Sequence, residues 1–135
     1  MDIEKLNVGL VSTSSFAELA HIPGIQSHKQ ARLVSICGRD KIKADSVAKK
    51  YCIGNVYTDF REQIDSDEID AIVIASPDDT HYEMVMYAVK AGKHVLCEKP
   101  MASDVDQAIQ MKDAAEEAGI IHMVNFTWRW MPMYR

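Results

Sequence analysis

Lys99 is the side chain with the clearest chemical use in this sequence. It stands in Cys97-Glu98-Lys99-Pro100, directly after the apolar run His94-Val95-Leu96-Cys97. A lysine at the carboxyl end of a buried strand can orient a substrate hydroxyl or polarise a carbonyl through its ammonium group. Pro100 would fix the turn that aims it. From the residues alone, a lysine in a solvated loop is an equally open reading. The second group is Ser12-Thr13-Ser14-Ser15-Phe16-Ala17, which reads S-x-S-x-x-A. A dinucleotide fold places G-x-G-x-x-G/A at such a position, and backbone N–H groups at a helix N-terminus favour phosphate there. The hydroxyls could add donors, but Ser14 carries a side chain where glycine would let the backbone touch phosphate. The same residues also read as a Ser/Thr-rich helix cap with no ligand.

Two further loops could complete such a site. In Cys37-Gly38-Arg39-Asp40 the small Gly38 leaves space, and the planar fork of Arg39 suits a ribose 2′-phosphate. That favours NADP over NAD. Alternatively, Arg39 merely caps a strand end; Asp40 opens the next helix or itself reaches a ribose. Ser76-Pro77-Asp78-Asp79-Thr80-His81 could close over the nicotinamide ribose. Its acids and histidine resemble metal ligands, yet Asp and Thr before a helix are ordinary caps, so no metal site is expected.

Elements of alternating period must position these groups. Leu6–Val11, Arg32–Cys37, Ala71–Ala75, His94–Cys97 and Ile120–Val124 read as strands, with Val56-Tyr57 a minimal one. Ala71-Ile72-Val73-Ile74-Ala75 is the near-continuous apolar run of a parallel strand covered on both faces. Phe16, Leu19, Ala20 and Ile22 recur at helical spacing until Pro23-Gly24, which should stop the helix. A second helix runs from about Lys41 to Tyr51. Thr80-His81-Tyr82-Glu83 matches a capping box opening a helix to Ala91, which Gly92 terminates. Ser103 should cap a last helix with Val105, Ala108, Ile109 and Ala115 on one face, closed by Gly119. The expected fold class is α/β: a doubly wound, mostly parallel sheet in three α/β/α layers. Ligands bind such sheets beyond the carboxyl ends of the strands, where all four loops lie.

Composition narrows the function classes. The chain has 135 residues, 47% hydrophobic and 26% charged, with a net charge of −5. The basic residues do not cluster, so no nucleic-acid partner is expected. No apolar run approaches the roughly 18 to 20 residues of a membrane span, so no membrane partner is expected either. Residues 1–5 lack a basic flank before an apolar core, so the reading is cytoplasmic. Cys37, Cys52 and Cys97 are scattered and read as buried thiols in a reducing compartment. The aromatic-rich ending, Phe126 to Arg135, suggests a segment that packs on something.

Taken together, Ala91-Gly92-Lys93-His94-Val95-Leu96-Cys97-Glu98-Lys99-Pro100 resembles the A-G-K-H-V-x-x-E-K-P string of the Gfo/Idh/MocA oxidoreductases. Ile74-Ala75-Ser76-Pro77 and Thr80-His81-Tyr82 are similar to that family's T-P-N-x-x-H segment. The resemblance implies an NAD(P)-binding Rossmann domain over residues 1–124, with 125–135 beginning the junction to a second domain. It implies hydride transfer between NADP or NAD and a sugar, polyol or related carbonyl, with NADP favoured on Arg39. Glu98 and Lys99 would contact cofactor and substrate, with Lys99 the catalytic lysine. Ser12, Thr13, Ser14, Phe16 and Ala17 would carry the pyrophosphate loop, and Gly38 and Arg39 the adenosine ribose end. Ser76, Pro77 and His81 would line the nicotinamide side, with Asn125 and Arg129 at its far edge. The peptide before Pro100 would be cis.

The sequence departs from the family in two places. The serine loop lacks both early glycines and is similar to the S-T-A-type loops of the dihydrodiol and xylose dehydrogenase branch. Asp78 replaces an asparagine and adds negative charge. Because the family's second domain does not fit in this length, the chain is expected to be inactive alone, and the full-length protein is expected to be a homo-oligomer. The rival reading is a non-catalytic dinucleotide-binding or sensor module with a degenerate loop. An S-adenosylmethionine-type transferase would want an acid where Gly38-Arg39 stands.

Overall fold

A computed structural model describes residues 5–134; residues 1–4 and Arg135, which belong to the N-terminal and tail readings, lie outside it. The chain runs β1 (Leu6–Val11), a π-helical turn (Ala17–His21) leading into α1 (Ile22–Ser27), β2 (Ala31–Cys37), α2 (Lys41–Tyr51), β3 (Asn55–Tyr57) and α3 (Phe60–Ile64). The second half continues with β4 (Ala71–Ile74), α4 (His81–Lys90), β5 (His94–Glu98), α5 (Val105–Glu117) and β6 (His122–Asn125). All strand pairs are parallel and the order is β3-β2-β1-β4-β5-β6. This is the doubly wound sheet the alternating periods imply, with the order reversing between β1 and β4.

The sheet separates two apolar layers. Ile64, Ile72, Ile74, Val85, Ala88, Val89 and Met111 pack on one side; Leu10, Ile22, Leu33, Ile36 and Val47 pack on the other. β1 runs through the middle, and Gly9 is its tightest point. A Cβ there would lie 3.0 Å from Ile72 Cδ1, 3.0 Å from Ser35 Oγ and 3.1 Å from Gln63 Nε2. The β1–β2 register also shifts between Val8 and Gly9. Glycine at this position lets two neighbouring strands and α3 close on β1. Gly92 and Gly119 both have positive φ, 70° and 66°, and turn the chain out of α4 and α5.

Several local expectations need correction. Pro23 does not stop the first helix: it falls in the first turn of α1, directly after the π-helical turn, and the helix runs on to Ser27. The buried face there is Ala17, His21 and Ile22, while Leu19 is 79% exposed. The Thr80 capping box is not formed. Thr80 Oγ1 donates to Pro77 O at 2.6 Å within a 3₁₀ turn, and Glu83 pairs with Arg61. Asp104, not Ser103, caps α5 by accepting from Gln107 N at 2.8 Å. Val105 and Ile109 of that helix point outward, and Met111 and Ala115 form its buried face. α3 was not anticipated; it is five residues long, too short for a periodic signal. The ending forms two 3₁₀ turns with Trp128 63% exposed. Among the described residues no helix is long and apolar enough to cross a membrane.

The cysteines divide in a way their spacing could not show. Cys52 is exposed, contrary to expectation, and ends α2 in the left-handed conformation at φ 55°. Cys37 and Cys97 are buried, and burial pushes both thiols up to about 12; Asp59 and Glu62 add to the first shift and Glu98 to the second. Since the thiolate is the reactive form, one thiol per chain should react with a disulfide reagent at pH 8, and all three after denaturation. The same shifts stabilise the fold fully below the ordinary thiol range, and that stability should fall as pH rises toward about 12. Labelling of two or more thiols in the native chain would contradict this burial.

Candidate cofactor site

A cleft of about 400 Å³ opens at the carboxyl edge of the sheet, at the switch between β1 and β4. Its floor is apolar: Val11, Ala75 and Met84 contribute. Ser12, Thr13, Ser14, Gly38, Arg39, Ser76 and Pro77 line it as expected, joined by Cys37, Lys43, Thr58, Phe60 and Thr80. Three loops separated by as many as 65 positions thus meet at one edge because their strands are neighbours and run the same way.

The serine loop is closed on itself. Ser12 Oγ accepts from Ser14 N at 3.1 Å and bonds Ser14 Oγ at 3.0 Å, while Ser14 Oγ accepts from Ala17 N at 3.2 Å. Ser14 therefore acts as a helix cap, and two amides that a glycine loop would leave for phosphate are taken up by hydroxyls. Ala17 is buried against the sheet, and Phe16, outside the cleft lining, sets its ring edge-on to His21 at 5.4 Å.

Gly38 is small for a reason other than the expected one. Its missing Cβ would stand 2.5 Å from Thr13 Cγ2, so the space beside Gly38 is filled by Thr13. Asp40 accepts from Lys43 N at 3.1 Å and caps α2, which commits one carboxylate oxygen to the helix. Arg39 is exposed at the rim, and Lys43, one helical turn further on, lines the cleft beside it. Lys43 escaped the sequence reading; its signal is a cation four positions after Arg39 in the first turn of a capped helix. Two cations at one end, hydroxyls along the walls and an apolar floor make a donor set that suits an elongated, phosphate-bearing ligand with a flat ring system.

Glu98, Lys99, His81 and Asn125 are not in the cleft wall but lie at the adjoining end of the sheet, where Glu98 and Asn125 close β5 and β6. Glu98 is buried; its Oε1 accepts from His21 Nε2 at 2.9 Å and Asn125 Nδ2 at 2.6 Å, and its Oε2 from Lys99 N at 3.2 Å. His21 was missed because it falls in an apolar helical pattern; a polar residue four positions after buried Ala17 was the available signal. His81 is fully buried, with Nδ1 2.8 Å from Pro100 O and Nε2 3.0 Å from Ser76 O. It is a strut between two loops rather than a wall residue. The Lys99–Pro100 peptide is cis, as expected. Lys99 itself is exposed. Arg129 lies in the 3₁₀ turn after β6, apart from the cleft lining.

Comparison with known proteins agrees with this architecture. The profile of the Gfo/Idh/MocA oxidoreductase family, NAD-binding Rossmann fold, matches residues 6–126. Inositol 2-dehydrogenase of Rubrobacter xylanophilus is 37% identical over 140 residues, covering 98% of this chain and 38% of its own length. The NADP⁺-dependent D-xylose 1-dehydrogenase 2 of Haloferax volcanii is 30% identical over 125 residues, covering 93% of this chain and 38% of its own. Among solved structures, a 3-ketoreductase from Actinomadura kijaniata in complex with NADP superposes with a TM-score of 0.92 at 26% identity, covering 98% of this chain and 42% of that one. The chain spans little more than a third of the length of the curated relatives it matches.

Proposed function

The chain belongs to the Gfo/Idh/MocA oxidoreductase family, with its NAD-binding Rossmann fold, and from that premise we propose that it is the cofactor-binding part of an NADP-preferring dehydrogenase. The whole protein would move hydride between the nicotinamide ring and the hydroxyl or carbonyl carbon of a sugar or polyol. The nicotinamide supplies the hydride acceptor or donor. Arg39 and Lys43 hold the 2′-phosphate; Thr13 and the hydroxyls of Ser12 and Ser14 hold the pyrophosphate; Ser76 and Pro77 border the nicotinamide ribose. Lys99 orients the substrate oxygen and passes its proton. Substrate selection and oligomer contacts fall to residues outside this chain.

The observation that carries the NADP preference is the commitment of Asp40 to capping α2, while two cations stand beside it at the cleft. An NAD site wants a free acid for the ribose hydroxyls; this one offers positive charge instead. Calorimetric titration of NADPH and NADH into the chain and into Arg39→Ala tests it. A charged hydrogen-bond pair contributes about 1.5–3 kcal/mol, so the variant should lose about 10- to 100-fold in NADPH affinity and little in NADH affinity. Equal losses for both would overturn the assignment.

The closed serine loop favours one second reading, a dinucleotide-binding module that no longer turns over. In that case the chain binds weakly, and Ser12→Gly with Ser14→Gly, which frees the two capped amides, tightens binding. On the enzyme reading the serine hydroxyls themselves serve phosphate and the double variant gains nothing.

A further inference from the structure

The reading of Lys99 leaves open what aims it. The turn is pinned at its far end, where Pro100 O lies 2.8 Å from the buried ring of His81. The near end hangs on one carboxylate. Glu98 Oε2 accepts the Lys99 backbone N–H, so the rotamer of Glu98 sets the position of that peptide. Glu98 in turn is held by Asn125, two strands' ends away in sequence but paired with it in register, and by His21. His21 is 7% exposed, sits on the π-helical turn that follows the serine loop, and is braced by the ring of Phe16. Four positions after Ala17, His21 shares its buried face.

Resting on the assignment of Lys99 above, we propose that His21 is a positioning residue: through the Glu98 carboxylate it fixes the peptide of Lys99 and ties that peptide to the loop that binds the cofactor's phosphates. Packing alone does not account for a histidine here. An apolar side chain would fill the space between Ala17 and Ile22 without the cost of burying an imidazole. A carboxylate at 6% exposure needs donors, and His21 Nε2–H and Asn125 Nδ2–H together supply both to one oxygen. That leaves Oε2 free to face Lys99 N–H. Without His21 the carboxylate can turn toward other donors or water, and the Lys99 peptide loses its acceptor.

Amide hydrogen exchange at Lys99 reads this directly in the full-length protein, with no substrate or cofactor present. His21→Leu should speed exchange of the Lys99 amide about tenfold or more, as expected for loss of a charge-assisted hydrogen bond, with core amides of β1 and β4 unchanged. His21→Gln, whose Nε2 amide can reach Glu98 Oε1, should restore it. In parallel, kcat should fall in His21→Leu with the cofactor Kd held within about threefold, and recover in His21→Gln. Should His21→Leu not fold, His21→Asn takes its place, since its amide is one methylene short of Glu98. Unchanged exchange at Lys99 in a folded variant, or equal exchange in the Leu and Gln variants, overturns the proposal. Because exchange does not depend on turnover, this outcome is separate from a failure of the catalytic assignment, which full activity of a Lys99→Ala variant would reveal.

Discussion

Lys99→Ala in the full-length protein should lower kcat by about 10²- to 10⁴-fold, the range that proton transfer by a positioned side chain supplies. The cofactor Kd should change by less than about threefold, because the affinity comes from the cleft between β1, β2 and β4. Four other lysines have their ammonium groups committed elsewhere. Lys41, Lys50 and Lys112 are paired with Asp45, Glu18 and Glu116, and the Lys93 ammonium donates to Ser66 O and Ile69 O. Among the described residues nothing engages the ammonium of Lys99, although its backbone is fixed on both sides. A rigid root with a free head is what an acid/base group needs: the atom that exchanges the proton is placed but not occupied. Lys99→Arg sharpens the test. Arginine keeps the positive charge but does not release a proton at working pH, so it should restore substrate affinity and not turnover. If Lys99→Arg turns over normally, charge alone is the contribution; if Lys99→Ala does, the lysine has no part in the chemistry.

How much of this site was legible in the sequence depends on whether the signal was local. The strands were readable because parallel strands covered on both faces are apolar throughout, as in Ala71-Ile72-Val73-Ile74. The carboxyl-edge loops then followed from the topology, and with them Ser12, Thr13, Ser14, Gly38, Arg39, Ser76 and Pro77, all of which line the cleft. What failed was long-range. Gly38 reads as space for a ligand until Thr13, 25 positions earlier, is seen to fill it. His81 reads as a wall residue until its two partners, Ser76 O and Pro100 O, turn out to lie on different loops. His21 reads as part of an apolar helix, because nothing local announces that Glu98, 77 positions on, needs a donor. Pairings of this kind are set by the sheet order, and a single sequence carries the order only through its connections. The errors in helix ends are of another type. Ser103 and Asp104 are both good caps, and the choice between them rests on which residue the turn after Pro100 delivers in an extended conformation.

The strand that carries the serine loop is packed beside Ile72 in the sheet's centre, and Ile72→Ala should expose what that packing contributes. Ile72 is fully buried on β4, which pairs β1 on one side and β5 on the other. Removing its branched side chain takes away transfer free energy and leaves a cavity, a loss of about 2–5 kcal/mol where a domain holds about 5–15 in total. In urea the midpoint should drop with the slope unchanged, since the surface exposed on unfolding hardly alters. Gly9 makes the cause identifiable. Adding a methyl there in the parent overpacks the sheet, because the Cβ meets Ile72 Cδ1 at 3.0 Å, and should cost about 1–3 kcal/mol. In the Ile72→Ala background that atom is gone and the same methyl fills part of the void. The double variant should therefore be more stable than the sum of the single losses predicts, by about 0.5–3 kcal/mol. The relief stays partial, since Ser35 Oγ at 3.0 Å and Gln63 Nε2 at 3.1 Å still crowd the position. Strict additivity would mean that β1 is held at Gly9 by α3 and β2 rather than by β4, and the cleft would then owe its shape to the other half of the sheet.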